Sequence, residues 1–262
     1  MNIVSFPGLN LTFNISQIAI SIANIDIYYY AVFIVLGIVI SLILASKSKE
    51  NFGIDFENFL EILIFCLIFG IIGARLYYIL FRLDYYLKSP SKIFNIRDGG
   101  LAIYGGIIFG AITAYIVCNR KKINVTDFFD YICPYLVLSQ AIGRIGNFFN
   151  IEAYGKETTN IFRMGIYVEN VYKEVHPCFL YEFISCILIF ICLRFIQKKR
   201  KFKGQILSLY FILYGIIRFF VEGLRIDSLM FFNFKISQIV SIAFIALSVI
   251  LCLKNKKYRI KE

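Results

Sequence analysis

Seven runs of apolar residues alternate with polar connectors along the chain. They cover residues 28–46, 60–81, 100–118, 128–149, 177–197, 205–223 and 236–253. Each run has about 18–22 residues, the length that a helix needs to cross the hydrocarbon core of a bilayer. The pattern therefore predicts an all-α integral membrane protein with seven transmembrane helices. We expect one domain over residues 1–262, with two longer external loops at 83–99 and 151–176, each long enough for short secondary structure.

The composition agrees with a membrane protein. Of the 262 residues, 59% are hydrophobic and 17% are charged, whereas soluble domains rarely exceed half apolar. The seven cysteines show no CxxC spacing and lie in the apolar runs or, for Cys178, at the edge of one, so we interpret them as packing residues. The start of the chain lacks the basic segment that precedes the apolar part of a cleavable signal peptide.

Basic residues divide unequally between the two sets of connectors. The connectors after the first, third, fifth and seventh runs hold fifteen lysines and arginines, and the other side holds nine that are spread through longer loops. Because cytoplasmic loops carry the excess of basic residues, the amino terminus is predicted outside and the carboxyl terminus in the cytoplasm. The net charge of +11 then follows from topology, and no nucleic-acid partner is expected.

With this orientation, charged residues gather near the outer ends of the helices. Arg75, Arg144 and Arg218 lie in the outer third of three different runs. A charge at the centre of a membrane helix costs about 2.5–3.5 kcal/mol, and such groups normally face a protein interior or a wet cavity. We therefore predict a polar cavity that opens to the outer leaflet. Other polar residues at this depth are Tyr30, Tyr104, Asn147, Asn150, Glu152, His176, Tyr181, Glu182 and Glu222.

Local spacing adds detail to this cavity. Arg144 and Asn147 are three residues apart and share one helix face. Arg218 and Glu222 are four apart, which allows a direct ion pair, either structural or as part of a shared ligand site. The planar fork of arginine suits a phosphate group. These residues predict binding or chemistry of phospholipid headgroups.

Two other classes of protein stay open at this point. One is a membrane transporter, which is expected to carry broken helices, charges near the bilayer midplane and often an internal repeat. The sequence shows charges at one face and no repeat. The other is a non-catalytic protein that binds anionic phospholipids, which only a turnover assay separates from an enzyme.

Several motifs resemble those of one bacterial enzyme family. The segment "GRIGNFFNIEAYG" closely matches G-R-x-G-N-F-x-N-x-E-x-x-G, the signature of the prolipoprotein diacylglyceryl transferases. "HPCFLYE" resembles the family's H-P-x-x-L-Y-E box, and "YGIIRFFVEGLR" resembles its Y-G-x-x-R-x-x-x-E-x-x-R box. "IYYYAVFIVLG", "GARLYYIL" and "GGLAIYGG" resemble its first three helices. The motifs occur in the family's order over essentially the whole chain.

The resemblance implies a multi-pass enzyme of the bacterial cytoplasmic (inner) membrane, with its active site toward the outer leaflet. Such an enzyme transfers the sn-1,2-diacylglyceryl group of phosphatidylglycerol to the lipobox cysteine thiol of a prolipoprotein, the first step of lipoprotein maturation. It forms a thioether, releases glycerol 1-phosphate and uses no metal or organic cofactor. The implied partners are phosphatidylglycerol, prolipoprotein signal peptides with their lipobox, and membrane lipids.

The resemblance also implies roles for individual residues. Arg144 and Arg218 are expected to be essential, and the thiol proton is expected to pass to Glu222, His176 or Tyr104. Several family members have a histidine where this chain has Tyr104, and tyrosine, with a pKa near 10, is a poor base at neutral pH. The predicted substrate-binding set is Arg144, Asn147, Asn150, Glu152, Tyr30, Arg75 and Arg225. The chain has no tryptophan and so lacks the Pro-Trp pair often found after the signature, where it has "NIFRMGI".

Overall fold

The computed structural model describes residues 2–22, 25–95 and 99–255. Every predicted apolar run is a helix in it, and the largest difference at an end is four residues, at Phe56. A short helix, α3 (Leu83–Lys88), lies in the first long loop. The long helices are α1 (Tyr29–Ser46), α2 (Phe56–Leu80), α4 (Ile103–Arg120), α5 (Val125–Asn150), α6 (Cys178–Gln197), α7 (Gln205–Leu224) and α8 (Ile236–Asn255). Residues 256–262 of the basic last connector lie outside the described residues.

Six helices of the described chain, all the long ones except α5, are long and apolar enough to cross a membrane. This confirms an integral membrane protein. Helix α5 differs because it carries Asp127, Asp130 and Arg144, and Pro134 lies inside it. It begins before the apolar run because the side chain of Asn124 accepts the backbone N–H groups at the first turn, as an N-cap does. That α5 crosses the membrane, and the orientation of the termini, remain predictions.

Short antiparallel strands accompany the helices, which the all-α prediction did not contain. Four form a sheet in the order β2-β1-β5-β6, and the other four form two hairpins, β3–β4 and β7–β8. Each hairpin directly precedes a long helix, α1 or α8. The bounds are β1 (Asn2–Phe6), β2 (Leu11–Ile15), β3 (Ile18–Ile22), β4 (Ile25–Tyr28), β5 (Met164–Val168), β6 (Val171–Val175), β7 (Met230–Phe231) and β8 (Phe234–Lys235).

The chain divides into two compact units, residues 1–50 with 129–262 and residues 51–128. Two apolar cores lie among the described residues of the first unit. One lies between α5, α6 and α7, and the other lies where the four-stranded sheet meets the end of α5 and the start of α6. The buried residues of the core between the helices are Cys133, Val137, Ala141, Cys186, Ile189, Leu193, Ile206 and Tyr210. Those of the core at the sheet are Val4, Phe6, Ile15, Ala153, Met164, Ile166, Val175 and Phe179. The prediction of one domain stays a prediction.

A buried carboxylate fixes α7 against α5 at the end of the first unit away from the sheet. Asp130 is fully buried and accepts the backbone N–H groups of Gly204 and Leu207 at 2.8 and 2.9 Å. It also accepts a 3.0 Å bond from Arg200. Because the N–H groups at a helix start have no partner within the helix, Asp130 caps α7 from its neighbour. This contact fixes the start of α7 against α5 and so sets the packing of the two helices along their length.

The second unit consists mainly of α2 and α4, which pack closely along glycines. A Cβ atom on Gly105 would clash with the carbonyl group of Gly73, so the two backbones touch directly. Small residues at such a contact are typical of helices that associate within a membrane. The start of α4 is held to α2 by the N–H of Ala102, which donates to the carbonyl oxygen of Ala74 at 3.0 Å.

Candidate active site

The carboxylate of Glu182 lies at the centre of the predicted polar site in the first unit. Glu182 is the fifth residue of α6 and is 1% exposed. Its Oε1 accepts a 2.6 Å bond from Nη1 of Arg218 and lies 3.8 Å from Nη1 of Arg225. Its Oε2 is paired with Arg144. One carboxylate thus joins arginines from α5, α7 and the residue after α7, and we call Arg144, Arg218 and Arg225 the arginine cluster.

Two further carboxylates pair with this cluster. Oε2 of Glu222 lies 2.7 Å from Nη2 of Arg218, so the predicted i,i+4 ion pair is present. Asp227 accepts two bonds from Arg225, at 2.9 and 2.6 Å. Burial acts to raise the pKa of Asp227, but the hydrogen bonds and the charge of Arg225 outweigh it and hold that pKa below its usual value. The carboxylates therefore offset the electrostatic repulsion between the arginines of the cluster.

The charged side chains of the cluster differ in how exposed they are. The side chains of Glu182 and Glu222 are 1% and 2% exposed, whereas those of Arg144, Arg218 and Arg225 are 21%, 18% and 13% exposed. Glu182 and Glu222 are therefore more deeply buried than the arginines that pair with them, whereas the side chain of Asp227 is 53% exposed beside Arg225. An anion that reaches Arg144 and Arg218 meets N–H donors and positive charge in front of these two buried carboxylates.

The signature segment forms a tight loop at the end of α5. The side-chain amides of Asn147 and Asn150 both donate to Oε1 of Glu152, at 2.9 and 3.1 Å. Ile151 and Ala153 adopt left-handed backbone conformations, with φ of 53° and 57°. Such conformations are costly for residues with a side chain, above all a β-branched one, and tend to occur where function requires a fixed geometry. The loop turns the two asparagines and Glu152 toward one another.

Gly155 brings this loop against two other elements. Its N–H donates to the carbonyl oxygen of His176 at 2.8 Å, and the next N–H, that of Lys156, donates to Leu224 at 2.9 Å. A Cβ atom on Gly155 would lie 2.8 Å from Sγ of Cys178 and 2.9 Å from the carbonyl oxygen of Leu224. Only glycine fits without a shift. The end of α5, the approach to α6 and the end of α7 are thus held together around the arginine cluster.

Tyr30 approaches the same site from α1. It packs on Gly146 so closely that a Cβ atom there would lie 2.9 Å from its ring and 3.0 Å from its Cα. Gly146 belongs to the signature segment, two residues after Arg144, so Tyr30 lies beside that segment. A substrate-binding role for Tyr30 stays a prediction.

His176 lies between β6 and α6, and its Nδ1 is 3.2 Å from the hydroxyl of Tyr181. Partial burial lowers the pKa of His176 below its ordinary value of 6.5. The imidazole is therefore neutral at neutral pH, the form that can accept a proton.

Arg75 and Tyr104 belong to the second unit. The guanidinium group of Arg75 donates five hydrogen bonds of 2.7–3.0 Å, all to backbone carbonyl oxygens of the loop after α3. A cavity of about 310 Å³ lies beside it, yet these donors are directed to the carbonyls. This geometry favours a role in shaping the loop. Substrate contact by Arg75, and a part for Tyr104 in the chemistry, stay predictions. The acceptors are Lys92, Ile93, Asn95, Gly99 and Gly100.

Three residues of the site were given no role by the sequence analysis. Glu182 was placed at the right depth, and its signal is a carboxylate inside an apolar run, which is costly unless it is paired. Asp227 and Lys235 carry no such signal because they lie in a connector. Nζ of Lys235 donates to the carbonyl oxygens of Glu222 and Arg225, at 2.6 and 2.7 Å, and so closes the end of α7.

The chain is similar to known proteins over nearly all its length. Residues 17–254 match the sequence profile of the family described as prolipoprotein diacylglyceryl transferase. The phosphatidylglycerol–prolipoprotein diacylglyceryl transferase of Finegoldia magna is 47% identical over 247 residues, which cover 94% of this chain and 98% of that protein. The proteins of the same name from Clostridium novyi and Streptococcus pneumoniae are 41% and 39% identical, over 92% and 93% of this chain and 96% and 95% of theirs. The chain therefore belongs to the prolipoprotein diacylglyceryl transferase family.

Proposed function

We propose that this protein transfers the sn-1,2-diacylglyceryl group of phosphatidylglycerol to the lipobox cysteine of prolipoproteins, at the outer leaflet of the bacterial cytoplasmic membrane. The names of its relatives state this pair of substrates. The observation that carries the proposal is the arginine cluster, whose accessible guanidinium edges lie in front of two buried carboxylates. Three such groups at one point match the phosphate of a lipid headgroup.

The reaction needs no nucleophile from the enzyme. The sulfur of the substrate cysteine attacks the carbon of the diacylglyceryl group that bears the phosphate, so a carbon–sulfur bond forms and the bond between that carbon and the phosphate oxygen breaks. The leaving group is glycerol 1-phosphate, and the thiol gives up its proton. Only the thiolate attacks well, and a free thiol has a pKa of about 8.5, so nearby arginines help by favouring the ionised form.

Arg144 and Arg218 hold the phosphate in this proposal. Negative charge builds on the leaving oxygen in the transition state, and donors that are already in place stabilise it without reorganisation. Glu182 keeps the two guanidinium groups in place from behind, since its two oxygens pair with one each. Arg225 extends the cluster on the side of Asp227.

The polar loop supports the headgroup beside the cluster. Asn147 and Asn150 fix the carboxylate of Glu152, which leaves that group able to accept bonds from hydroxyl groups of the glycerol. Tyr30 offers a further hydroxyl at the same place.

The thiol proton has three candidate acceptors. His176 is neutral at neutral pH and can take it directly. Glu222 ranks first among them because its pairing with Arg218 places it at the arginine cluster, and a carboxylate that is paired through one oxygen can accept a proton on the other. Tyr104 would act through its hydroxyl.

The topology completes the proposal. Seven crossings, including α5, place the amino terminus outside and the arginine cluster at the outer face, because the dense basic connectors then lie in the cytoplasm.

Turnover with defined substrates tests the function. Purified protein in phosphatidylglycerol vesicles, given a lipobox peptide, should add one diacylglyceryl unit to the peptide and release glycerol phosphate, both measured by mass spectrometry. A peptide with serine for the lipobox cysteine, and vesicles of phosphatidylcholine alone, are the matched controls. Folded protein that binds phosphatidylglycerol without modifying the peptide would overturn the proposal in favour of a non-catalytic lipid-binding protein.

A further inference from the structure

We propose that the two hairpins β3–β4 and β7–β8 lie on the lipid surface, with one apolar face of each in the membrane interface, and that they set the depth of the arginine cluster in the bilayer. Both hairpins belong to the first unit, and both join a long apolar helix without a linker. The inference rests on their geometry and on the membrane class of the protein, and it needs no catalytic activity.

The same kind of backbone hydrogen bond joins each hairpin to the helix that follows it. The N–H of Tyr29, the first residue of α1, donates to the carbonyl oxygen of Gln17 at 2.9 Å, across the base of β3–β4. The N–H of Ile236, the first residue of α8, donates to Leu229 at 2.9 Å, across the base of β7–β8. Each hairpin therefore stands at the end of an apolar helix, at the level where that helix leaves the hydrocarbon.

The first hairpin has one apolar and one polar face. Its register pairs Ile20 with Ile27 and Ile22 with Ile25, so these four side chains share a face. Their exposed fractions lie between 36% and 58%. On the opposite face the hydroxyl of Ser21 donates to Asp26 at 2.6 Å.

The second hairpin has one face toward the protein and one away from it, and Met230, which pairs with Lys235, is also 52% exposed. Lys235 is turned toward the protein, since its Nζ donates to the carbonyl oxygens of Glu222 and Arg225. Alternation along the strand directs Phe234 to the other side, and it is 67% exposed. Leu229, at the base, is 66% exposed. One face of this hairpin thus holds the end of α7 and the arginine cluster, and the other presents large apolar side chains.

A lipid interface is the surface that satisfies both faces and the backbone. An isolated two-stranded hairpin is marginal in water and has unpaired backbone groups along its edges. Because each unpaired backbone group is costly in hydrocarbon, the hairpins cannot lie within the hydrocarbon region. The interface accepts the apolar faces and leaves the edges, and the polar face of the first hairpin, in contact with water and headgroups. Tyr28, which ends β4 and is 47% exposed, is of the residue type enriched at this level.

The absence of tryptophan from the chain allows a direct test. Single variants Ile22→Trp and Phe234→Trp place one fluorophore on each apolar face. The controls are Ser21→Trp on the polar face and Thr12→Trp on an exposed position of β2. Each full-length variant is reconstituted in phosphatidylglycerol–phosphatidylcholine vesicles, with and without lipids brominated at known acyl positions. Thermal unfolding selects the variants that fold.

We expect brominated lipid to quench Ile22→Trp and Phe234→Trp, most strongly for bromines at the acyl positions nearest the headgroups, because interfacial amphipathic elements reach about 5–10 Å into the boundary between headgroups and acyl chains. Acrylamide in the aqueous phase should quench Thr12→Trp and Ser21→Trp instead. Quenching of the two apolar-face variants by acrylamide would place the hairpins in water and overturn the proposal. Resistance to both quenchers would place them against protein, such as a second copy, and would also overturn it. Neither result depends on transfer activity, so the proposed function is tested separately.

Discussion

Oε1 of Glu182 lies 2.6 Å from Nη1 of Arg218, although 36 residues separate them along the chain. The other oxygen of the same carboxylate pairs with Arg144, so Glu182 bridges the two arginines that are proposed to hold phosphate. Like charges in a site of low dielectric repel strongly, and a shared carboxylate offsets that repulsion. The geometry of the arginine cluster therefore depends on a residue that itself faces away from the ligand.

Glu182→Gln should destabilise the protein and lower transfer together. Removal of one partner of a buried ion pair costs about 3–5 kcal/mol, and here three arginines lose their common acceptor. Denaturant unfolding in detergent and the peptide transfer assay measure the two effects. Glu174→Gln is the matched control, because Glu174 pairs with Arg163 at a partly exposed position of the sheet. Equal behaviour of the two variants would contradict a special role for Glu182.

Arg144→Lys and Arg218→Lys should each reduce kcat by about 100-fold or more, the loss seen when one preorganised donor is removed from a site of developing charge. Lysine keeps the charge but loses the planar fork. Arg163→Lys, at the residue before β5, is the control for the substitution itself and should retain transfer. Near-normal transfer by either cluster variant, once its membrane insertion is verified, would show that the arginines do not clamp phosphate.

Tyr104→Phe removes only a hydroxyl group. Because tyrosine is a poor base at neutral pH, we expect transfer near the level of the unmodified protein, far from the roughly 100-fold loss that removal of a general base produces. Initial rates at saturating phosphatidylglycerol measure this. A loss of that size in a stable variant would instead identify Tyr104 as the proton carrier.

His176 should make the stability of the protein depend on pH. Burial lowers its pKa, so the unfolded chain binds the proton more readily than the folded one. The stability that the neutral form contributes is present above about pH 6.5 and is lost as the pH falls through that value toward the lower folded pKa. Tm measured across this range should fall less in His176→Gln than in the unmodified protein. Identical slopes would mean that His176 does not titrate there.

Arg75→Lys should destabilise the protein by about 2 kcal/mol or more, because several partly buried hydrogen bonds to carbonyl groups lose their donor and lysine cannot reach all the acceptors. Arg82→Lys is the control, since Arg82 lines the same cavity but is exposed. Thermal unfolding compares the two variants. If Arg75→Lys keeps its Tm and raises the KM for phosphatidylglycerol, Arg75 contacts substrate as the sequence analysis predicted.

Hydropathy was sufficient to predict the long helices, because each buries its backbone hydrogen bonds within one continuous apolar segment. Hydropathy did not predict the short strands. Strands β7 and β8 have two residues each, and the apolar alternation of β3 and β4 merges with the start of α1. Pairing between such strands depends on turns and on neighbouring helices, which a window of sequence does not contain.

The site could be predicted where its contacts are local. The ion pair of Arg218 with Glu222 follows from helical spacing alone, and the signature segment placed Asn147 and Glu152 near each other. The bridge from Glu182 to two other helices needed the packing of α5, α6 and α7. Arg75 shows the opposite case, since its depth suggested a ligand but the loop after α3 supplies five acceptors for its donors.

The matching of three arginines by Glu182, Glu222 and Asp227 bears on how the enzyme resets after each cycle. A bare triple positive charge would retain an anionic product, and the release of that product would then limit turnover. Here the contacts that a departing glycerol phosphate gives up are compensated by carboxylates already in place. The three carboxylates balance the three positive charges of the cluster, so the product can leave and the next lipid can compete for its place.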